Sequence, residues 1–449
     1  MMGNGKLINR KKLSLAKALR LDHIPPPRVA FVGAGGKTTA LFQLARDLSP
    51  CIVTTTTHLG AWQAKEADQH IIIHKSEDVN QLEEIAFSGI ILVTGEEKGE
   101  RLPSPPDESL KWLEQFSSYH SLPLLIEADG ARQKALKAPK EDEPVIPDFI
   151  KTVITVAGLS GIEESLNEEN VYNAEDFAKL GNIKEGEIIT AENLSNVLLH
   201  ENGGLKKIPK NARRIALLTQ ADTPELEAKS GKIAKKLLSK FDSSITTNLL
   251  TFNIQTFEAA SAIILAAGSS SRFGQAKQLL DYHGKPFICA IAEKALQAEL
   301  SPIIVVTGAE DDEIRNALKD LPIEIAHNPN WKEGQSSSIQ AGIKSLPTKT
   351  GSAIFLLADQ PQVTSTVLRA LVEEHQRTLK PVIAPMVEDR RANPVLFDRA
   401  TFPALLELQG DIGGRGIFSK FSPSYILWLD SSLLLDVDTN REYQNLLKG

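Results

Sequence analysis

A short apolar run followed by small residues and two cations carries the clearest chemical pattern in the second half of the chain. Residues 262–265 are typical of a buried parallel strand, because they are apolar and partly β-branched. Residues 267–271 are small, so their backbone amides can approach a bulky ligand, and Arg272 and Lys277 add positive charge. This combination suits a triphosphate. Taken alone, the stretch is equally compatible with a surface loop that carries two solvated cations.

A second candidate follows another apolar strand pattern, residues 355–358, which runs into Asp359 and then Pro361. Ligands of parallel sheets bind at the carboxyl ends of the strands, which is where this pattern places Asp359. Carboxylate oxygens are hard ligands that suit Mg²⁺. Asp359 is therefore a candidate magnesium ligand, and a plain turn aspartate is the alternative.

The first half carries a different phosphate-binding pattern. A strand pattern over residues 28–32 precedes the loop and hydroxyl residues Gly33, Gly35, Gly36, Lys37 and Thr38, and a helical run then extends to residue 48. Phe31 stands where the strict motif has a glycine, so this is a shortened form. Amides at the helix start and Lys37 would hold phosphate, with Thr38 on magnesium. ATP or GTP binding is predicted; a glycine turn that merely packs strand on helix is the alternative.

An acidic segment, residues 127–130, follows the apolar strand pattern 122–126. Phosphate-loop proteins hold magnesium with carboxylates at such strand ends, so Asp129 is a candidate for the same nucleotide site. Asp129 with Gly130 is also an ordinary turn signal. The next residues bring three cations that suit either an anionic ligand or a solvated face, namely Arg132, Lys134 and Lys137.

Composition bounds the class of protein. A chain of 449 residues with 42% hydrophobic and 24% charged residues predicts two or three globular domains. The net charge of −7 gives no general attraction to nucleic acid. Cys51 and Cys289 are far apart in sequence and form no disulfide framework, so a reducing cytoplasm is the simplest compartment. We see no signal peptide and no apolar run long enough to cross a membrane.

The order of strand and helix patterns predicts an α/β protein. Residues 1–255 read as a P-loop-like α/β nucleotide-binding domain. Residues 256–449 alternate strand and helix cleanly, which favours a doubly wound, mostly parallel sheet. Residues 242–260 are polar and weakly patterned, and the boundary is placed there, near residue 255, without a clear linker.

The second half matches an ordered series of motifs. LAAGxSxRxGxxKxLL is present as Leu265, Ala266, Ala267, Gly268, Ser270, Arg272, Gly274, Lys277, Leu279 and Leu280. Further motifs are NPxWxxGxSS at 328–337, DQP at 359–361, ANPVLF at 392–397, GDIGGR at 410–415 and DVDT at 436–439. The series resembles the MobA/MocA-like nucleotidyltransferases, which bind a nucleoside triphosphate and release pyrophosphate.

This resemblance implies roles for individual residues. Nucleotide binding falls to Leu265, Ala266, Ala267, Gly268, Ser270, Arg272, Lys277 and Ser337. Arg272, Lys277 and Asp359 would be catalytic, with Mg²⁺ on Asp359. Asp438 would be a second metal ligand or would only shape the site. Asn393, Asp411 and Arg415 would face a pterin, although Asp411 and Arg415 also suit a structural salt bridge in a turn.

The form LAAG, rather than LAGG, resembles the cytidylyl branch, through Ala267. The expected reaction is then transfer of CMP from CTP to the molybdopterin cofactor, with Mg²⁺. Two alternatives stay open: a non-catalytic molybdopterin carrier or chaperone for a hydroxylase, and a nucleotidyltransferase that uses another small-molecule acceptor.

The first half resembles the YqeC family over residues 29–222. The resemblance rests on VGAGGKTT at 32–39, TTTT at 54–57, EADGAR at 127–132, LKAP at 136–139 and EPVIP at 143–147. These proteins are accessory to selenium-dependent molybdenum hydroxylases. The resemblance therefore implies a pathway rather than a reaction, with a molybdenum hydroxylase apoprotein as the expected partner.

Overall fold

The computed structural model describes residues 13–22, 25–248, 251, 253–268, 276–437 and 439–447. The chain divides into two compact units, Met1–Phe257 and Glu258–Gly449. No helix within the described ranges is long and apolar enough to cross a membrane.

The first unit alternates strands and helices from its start. Its elements are α1 (Leu15–Ala18), β1 (Arg28–Gly33), α2 (Lys37–Leu48), β2 (Cys51–Thr55), β3 (His58–Gly60), β4 (Gln69–Ile72), β5 (Ile90–Thr94), β6 (Arg101–Pro103), α3 (Asp107–Tyr119), β7 (Leu124–Glu127), β8 (Leu136–Lys137), β9 (Thr152–Gly158), β10 (Val171–Tyr172), α4 (Ala174–Gly181), α5 (Ala191–Leu199), β11 (Arg213–Thr219), α6 (Pro224–Leu237), β12 (Ser243–Asn248) and β13 (Asn253–Phe257).

The main sheet of this unit has the order β13-β12-β11-β9-β1-β7-β2-β5-β4 among the described strands. Neighbouring strands are parallel except β13, which runs antiparallel to β12. Buried apolar clusters cover both faces, one around Phe177 and Leu237 and one around Leu113 and Ile126. The carboxyl ends of β1, β7 and β9 consequently meet at one edge.

The second unit contains β14 (Ala259–Leu265), α7 (Phe287–Gln297), β15 (Ile303–Thr307), α8 (Asp311–Leu318), β16 (Glu324–His327), α9 (Gln335–Lys344), β17 (Thr350–Leu357), α10 (Ser365–Thr378), β18 (Val382–Val387), β19 (Arg390–Arg391), β20 (Val395–Asp398), α11 (Phe402–Leu406), β21 (Ser424–Leu427) and α12 (Asn440–Leu446). Short 3₁₀ turns cover Lys277–Leu279, Trp331–Glu333 and Gly414–Ile417, among others.

Its sheet has the order β16-β15-β14-β17-β20-β18-β19 within the described residues, and β21 pairs with β18. The β16-β15-β14-β17 half is parallel, whereas β20 runs antiparallel to both β17 and β18. Helices α7 and α10 pack on one face and α9 on the other, around separate apolar clusters. The predicted doubly wound, mostly parallel fold is confirmed.

Residues 242–260, which are polar and weakly patterned in the sequence, form regular strands in the structure. These are β12, β13 and the start of β14. The side chains of Ser243, Ser244 and Thr246 are buried in β12, so the strand is a core strand despite its polar composition. Burial of hydroxyls in a strand hides the alternation that usually marks one.

Candidate functional sites

The loop after β14 and Asp359 leave the second sheet side by side. β14 and β17 are parallel neighbours, with Leu265 opposite Leu357. The Ala358 amide donates to the Leu265 carbonyl at 3.2 Å. The first residues of the LAAG motif and Asp359 therefore share the carboxyl edge of the sheet, as the two strand patterns predict.

A cavity of about 510 Å³ opens at this edge. Lys277 and Asp359 both line it, together with Gly268, Trp331 and Asp411. Its volume lies in the range that small-molecule and cofactor sites occupy. The structure thus brings onto one cavity a cation and a carboxylate that lie far apart in sequence.

Gln278 holds the backbone that directly follows β14, beside this cavity. Its buried side-chain amide donates to the Ala266 carbonyl at 3.1 Å and to the Gly268 carbonyl at 2.7 Å. It thereby ties the LAAG backbone to the 3₁₀ turn that begins at Lys277. Nothing in the sequence motif marks this role, because it depends on contacts between residues that lie 10 and 12 positions apart.

The start of α9 forms the opposite wall. Gly334 has a φ of +107°, and a Cβ there would lie 2.5 Å from the carbonyl of Gly410. Ser336 Oγ donates to that carbonyl at 2.7 Å, and the Gln335 amide lies 3.4 Å from Asp411 Oδ1. Asp411 therefore lines the cavity and also faces the positive end of the helix dipole.

Other predicted residues are placed less directly. Ser337 Oγ lies 2.9 Å from Asn328 Nδ2 and 2.8 Å from the Gly334 carbonyl, so local bonds occupy it, whereas Ser338 lines the cavity. Asn393 and Arg415 are not among the described residues that line it. Ser270, Arg272 and Asp438 lie outside the described residues.

The DQP and DVDT segments meet. Gln360 Nε2 donates to Asp436 Oδ1 at 2.8 Å. Within the described ranges, no group of three His, Cys, Asp or Glu side chains is arranged to hold a metal ion. Asp359 still fits magnesium, since Mg²⁺ typically uses one or two carboxylates and completes its shell with substrate phosphates and water.

In the first unit, the glycine loop joins the central strand β1 to α2. Gly33, Gly35 and Gly36 have φ values of +98°, +76° and +93°. A Cβ on Gly33 would lie 2.1 Å from the Val156 carbonyl oxygen. Only glycine fits such positions, and Gly36 is the N-cap of α2, so no side chain of its own caps the helix amides. The helix start therefore offers backbone amides to an anion.

Asp129 stands beneath this loop. Its two carboxylate oxygens accept from the Gly33 amide at 3.1 and 2.9 Å. It also pairs with Lys37, whose ammonium contacts it closely, and with Lys137 Nζ at 2.9 Å. All these side chains are buried. Asp129 thus neutralises the two lysines and shapes the loop.

A second carboxylate faces the hydroxyl of the motif. Thr38 Oγ1 donates to Glu127 Oε2 at 2.7 Å, and Lys37 Nζ lies 3.6 Å from Glu127 Oε1. Burial raises the pKa of Glu127, and Lys37 and Thr38 only partly offset this. Burial opposes the Lys37 ammonium, but Asp129 and Glu127 outweigh it and hold the pKa of Lys37 above its ordinary value.

The geometry of the second unit defines a class of enzyme, and comparison with known families places both units. A doubly wound sheet with a glycine loop, a lysine and a strand-end aspartate on one cavity is the arrangement of a nucleotidyltransferase, and the second unit is one. Residues 262–424 match the MobA-like NTP transferase domain, and residues 29–175 match the YqeC protein family. The chain belongs to both families, as a fusion of a YqeC domain with a MobA-like domain.

Three relatives illustrate this. YqeC of Escherichia coli (strain K12) is 30% identical over 199 residues, which are 42% of this chain and 74% of that protein. Nicotine blue oxidoreductase of Paenarthrobacter nicotinovorans is 30% identical over 200 residues, 41% of this chain and 95% of that protein. Molybdenum cofactor cytidylyltransferase of Escherichia coli (strain K12) is 32% identical over 186 residues, 41% of this chain and 94% of that protein.

Proposed function

We propose that the second unit transfers CMP from CTP to the molybdopterin cofactor, giving the cytosine dinucleotide form and pyrophosphate. The observation that carries the proposal is the shared cavity of Lys277 and Asp359, next to the LAAG loop. The 32% identity to a molybdenum cofactor cytidylyltransferase, over 94% of its length, supports this choice of nucleotide and acceptor.

In this reaction an oxygen of the acceptor phosphate attacks the α-phosphorus of CTP. The bond to the β-phosphate oxygen breaks, and pyrophosphate leaves with its electron pair. Lys277 and the loop amides around Gly268 would hold the triphosphate and offset its charge. Asp359 would hold Mg²⁺, which supplies charge stabilisation at the transferred phosphate when it is bound. Protein groups mostly position and neutralise in such transfers.

The acceptor would enter from the α9 side. Asp411 and the helix start line the cavity there, and the Asp411 carboxylate faces the positive end of the helix dipole. Arg272, Ser270, Asn393, Arg415 and Asp438 remain proposed contacts from the motif series.

Purified full-length chain with CTP, Mg²⁺ and molybdenum cofactor should release pyrophosphate. Asp359→Ala should lower the rate by about 10³-fold or more, because it removes the metal ligand. Asp320→Ala, on an exposed residue after α8, is the matched control and should retain the rate. Equal turnover of GTP would contradict the cytosine assignment.

The same assay separates the alternatives. Tight cofactor binding without pyrophosphate from any nucleotide would favour a carrier. Pyrophosphate release with a sugar phosphate or an isoprenoid phosphate, but not with molybdopterin, would favour another acceptor.

We further propose that the first unit binds ATP or GTP at its glycine loop. The Thr38–Glu127 contact supports Glu127, rather than Asp129, as the carboxylate beside the magnesium ion, since Asp129 is already occupied by two lysines and the Gly33 amide. Lys37→Ala should abolish calorimetric binding of either nucleotide to the full chain, and Lys232→Ala, at an exposed position of α6, should not. Unchanged binding in Lys37→Ala would refute this site. A molybdenum hydroxylase apoprotein remains the proposed partner.

A further inference from the structure

Three cations surround one tyrosine ring beside the glycine loop of the first unit. Lys137 Nζ, Lys140 Nζ and the Arg132 guanidinium carbon lie 4.9, 5.4 and 5.7 Å from the centroid of Tyr172. Strands β8 and β10 hold this arrangement, because Tyr172 pairs directly with Lys137. We refer to Arg132, Lys140 and Tyr172 as the Tyr172 cluster.

The charges in this region are unevenly balanced. Lys137 is buried and pairs with Asp129 and Glu143, each at 2.9 Å. Among the described residues, no carboxylate oxygen lies within 4.0 Å of the charged groups of Arg132 or Lys140. Arg132 and Lys140 are exposed and repel each other across the ring, while the carboxylate beside it, Glu143, lies 3.4 Å from the Tyr172 hydroxyl and is paired with Lys137. An anion bound between them would relieve this repulsion.

The cluster adjoins the proposed nucleotide site through two routes. The Gly35 amide donates to the Lys134 carbonyl at 3.0 Å, so the segment that carries Arg132 rests on the glycine loop. Lys137, against Tyr172, bonds Asp129, which bonds the Gly33 amide. An anion on the cluster would therefore lie near a bound nucleotide.

The backbone at Arg132 is unusual. Arg132 and the next residue, Gln133, have φ values of +48° and +61°, a region that side chains other than glycine seldom adopt. The Lys134 amide donates to the Ala131 carbonyl at 3.0 Å, so Arg132 and Gln133 are the central residues of a tight turn of the type that has positive φ at both positions. From this turn the Arg132 side chain reaches the Tyr172 ring.

We propose that the Tyr172 cluster binds the phosphate group of a second substrate, a phosphate monoester, beside the nucleotide of the first unit. Arg132 offers the forked donors that match phosphate, and Lys140 adds a second charge. The acceptor proposed for the second unit belongs to the same chemical class. That this phosphate monoester is a second substrate rests on the proposed nucleotide binding. The proposed anion site does not rest on it.

The test uses the full chain labelled with 3-fluorotyrosine, which gives resonances for five tyrosines, and Tyr172→Phe assigns the one at issue. Phenyl phosphate, added without nucleotide, should shift the Tyr172 resonance saturably. Arg132→Ala/Lys140→Ala should weaken this binding about tenfold or more. Arg132→Lys/Lys140→Ala should bind phenyl phosphate more tightly than Arg132→Ala/Lys140→Ala, because the lysine restores one positive charge.

Lys111→Ala/Lys232→Ala removes the same charge from exposed helix positions and should leave the affinity unchanged. The phenyl phosphate titration contains no nucleotide, so its outcome does not depend on whether the first unit binds ATP or GTP, and the two proposals fail independently. A Tyr172 resonance that phenyl phosphate does not move would overturn the inference. So would equal weakening by the cluster variant and the helix variant.

Discussion

The Thr38 hydroxyl donates to Glu127 Oε2 at 2.7 Å, which places the carboxylate at the end of β7 against the first turn of α2. β7 lies directly beside β1, with Phe31 opposite Glu127. The carboxylate that faces the hydroxyl of the glycine-loop motif is thus fixed by the register of two neighbouring strands.

Glu127 and Asp129 should respond differently to loss of charge. Glu127→Gln should weaken magnesium-dependent nucleotide binding about 10- to 100-fold with little loss of stability. Asp129→Asn should instead lower the free energy of unfolding by about 3–5 kcal/mol, because it leaves two buried lysines poorly compensated. Calorimetry with and without EDTA, and urea unfolding, separate the effects. Loss of magnesium-dependent binding in Asp129→Asn, with unchanged binding in Glu127→Gln, would assign the metal to Asp129 instead.

Gly35→Ala should abolish nucleotide binding and destabilise the first unit by about 1–3 kcal/mol. A Cβ at Gly35 would lie 2.2 Å from the Gly158 amide nitrogen, in addition to the strain of a φ of +76°. Gly99→Ala is a matched control, since Gly99 has a φ of +62° but no atom within 4 Å of its Cβ position. Gly99→Ala should lower the free energy of unfolding only by the strain of a positive φ, and it should not affect nucleotide binding. Thermal unfolding and nucleotide titration of both variants are the measurements.

Gln278→Ala should lower kcat/KM for CTP about 10- to 100-fold, since misplaced loop amides hold the triphosphate poorly. Gln340→Ala serves as the control because it removes a comparable bond, from Gln340 Nε2 to the Leu408 carbonyl at 2.7 Å. Gln340 is not among the described residues that line the cavity. An equal loss of activity in both variants would show a general effect on stability instead.

The two cysteines should resist alkylation in the native chain. Burial raises the pKa of Cys51 to about 12 and also raises the pKa of Cys289. At pH 8 a thiol of pKa about 12 has only about one part in 10⁴ as thiolate. Mass spectrometry after iodoacetamide at pH 8 should find both thiols unmodified until urea is added. Rapid native labelling of Cys51 would contradict its buried placement.

The main frame of both units follows from local sequence patterns. Strand, glycine loop, lysine and helix predicted β1 and α2, because each step has a strong local preference. The edge that joins Leu265 and Asp359 followed from the rule that parallel strands deliver their carboxyl ends together.

Finer features depended on contacts that no local pattern encodes. The choice between Glu127 and Asp129 required the β1–β7 register, since both acids follow the same strand. Gln278 acts on backbone carbonyls across a loop, which its neighbours in sequence do not reveal. β12 was missed because most of its buried side chains are hydroxyls, with Ile245 between them.

The two units are joined with a single residue, Glu258, between β13 and β14. Each chain consequently contains one YqeC unit and one nucleotidyltransferase unit, so their ratio is one to one at any expression level. Covalent linkage also keeps their mutual concentration constant on dilution. The efficiency with which any product passes from one unit to the other would therefore not depend on the concentration of the protein in the cell.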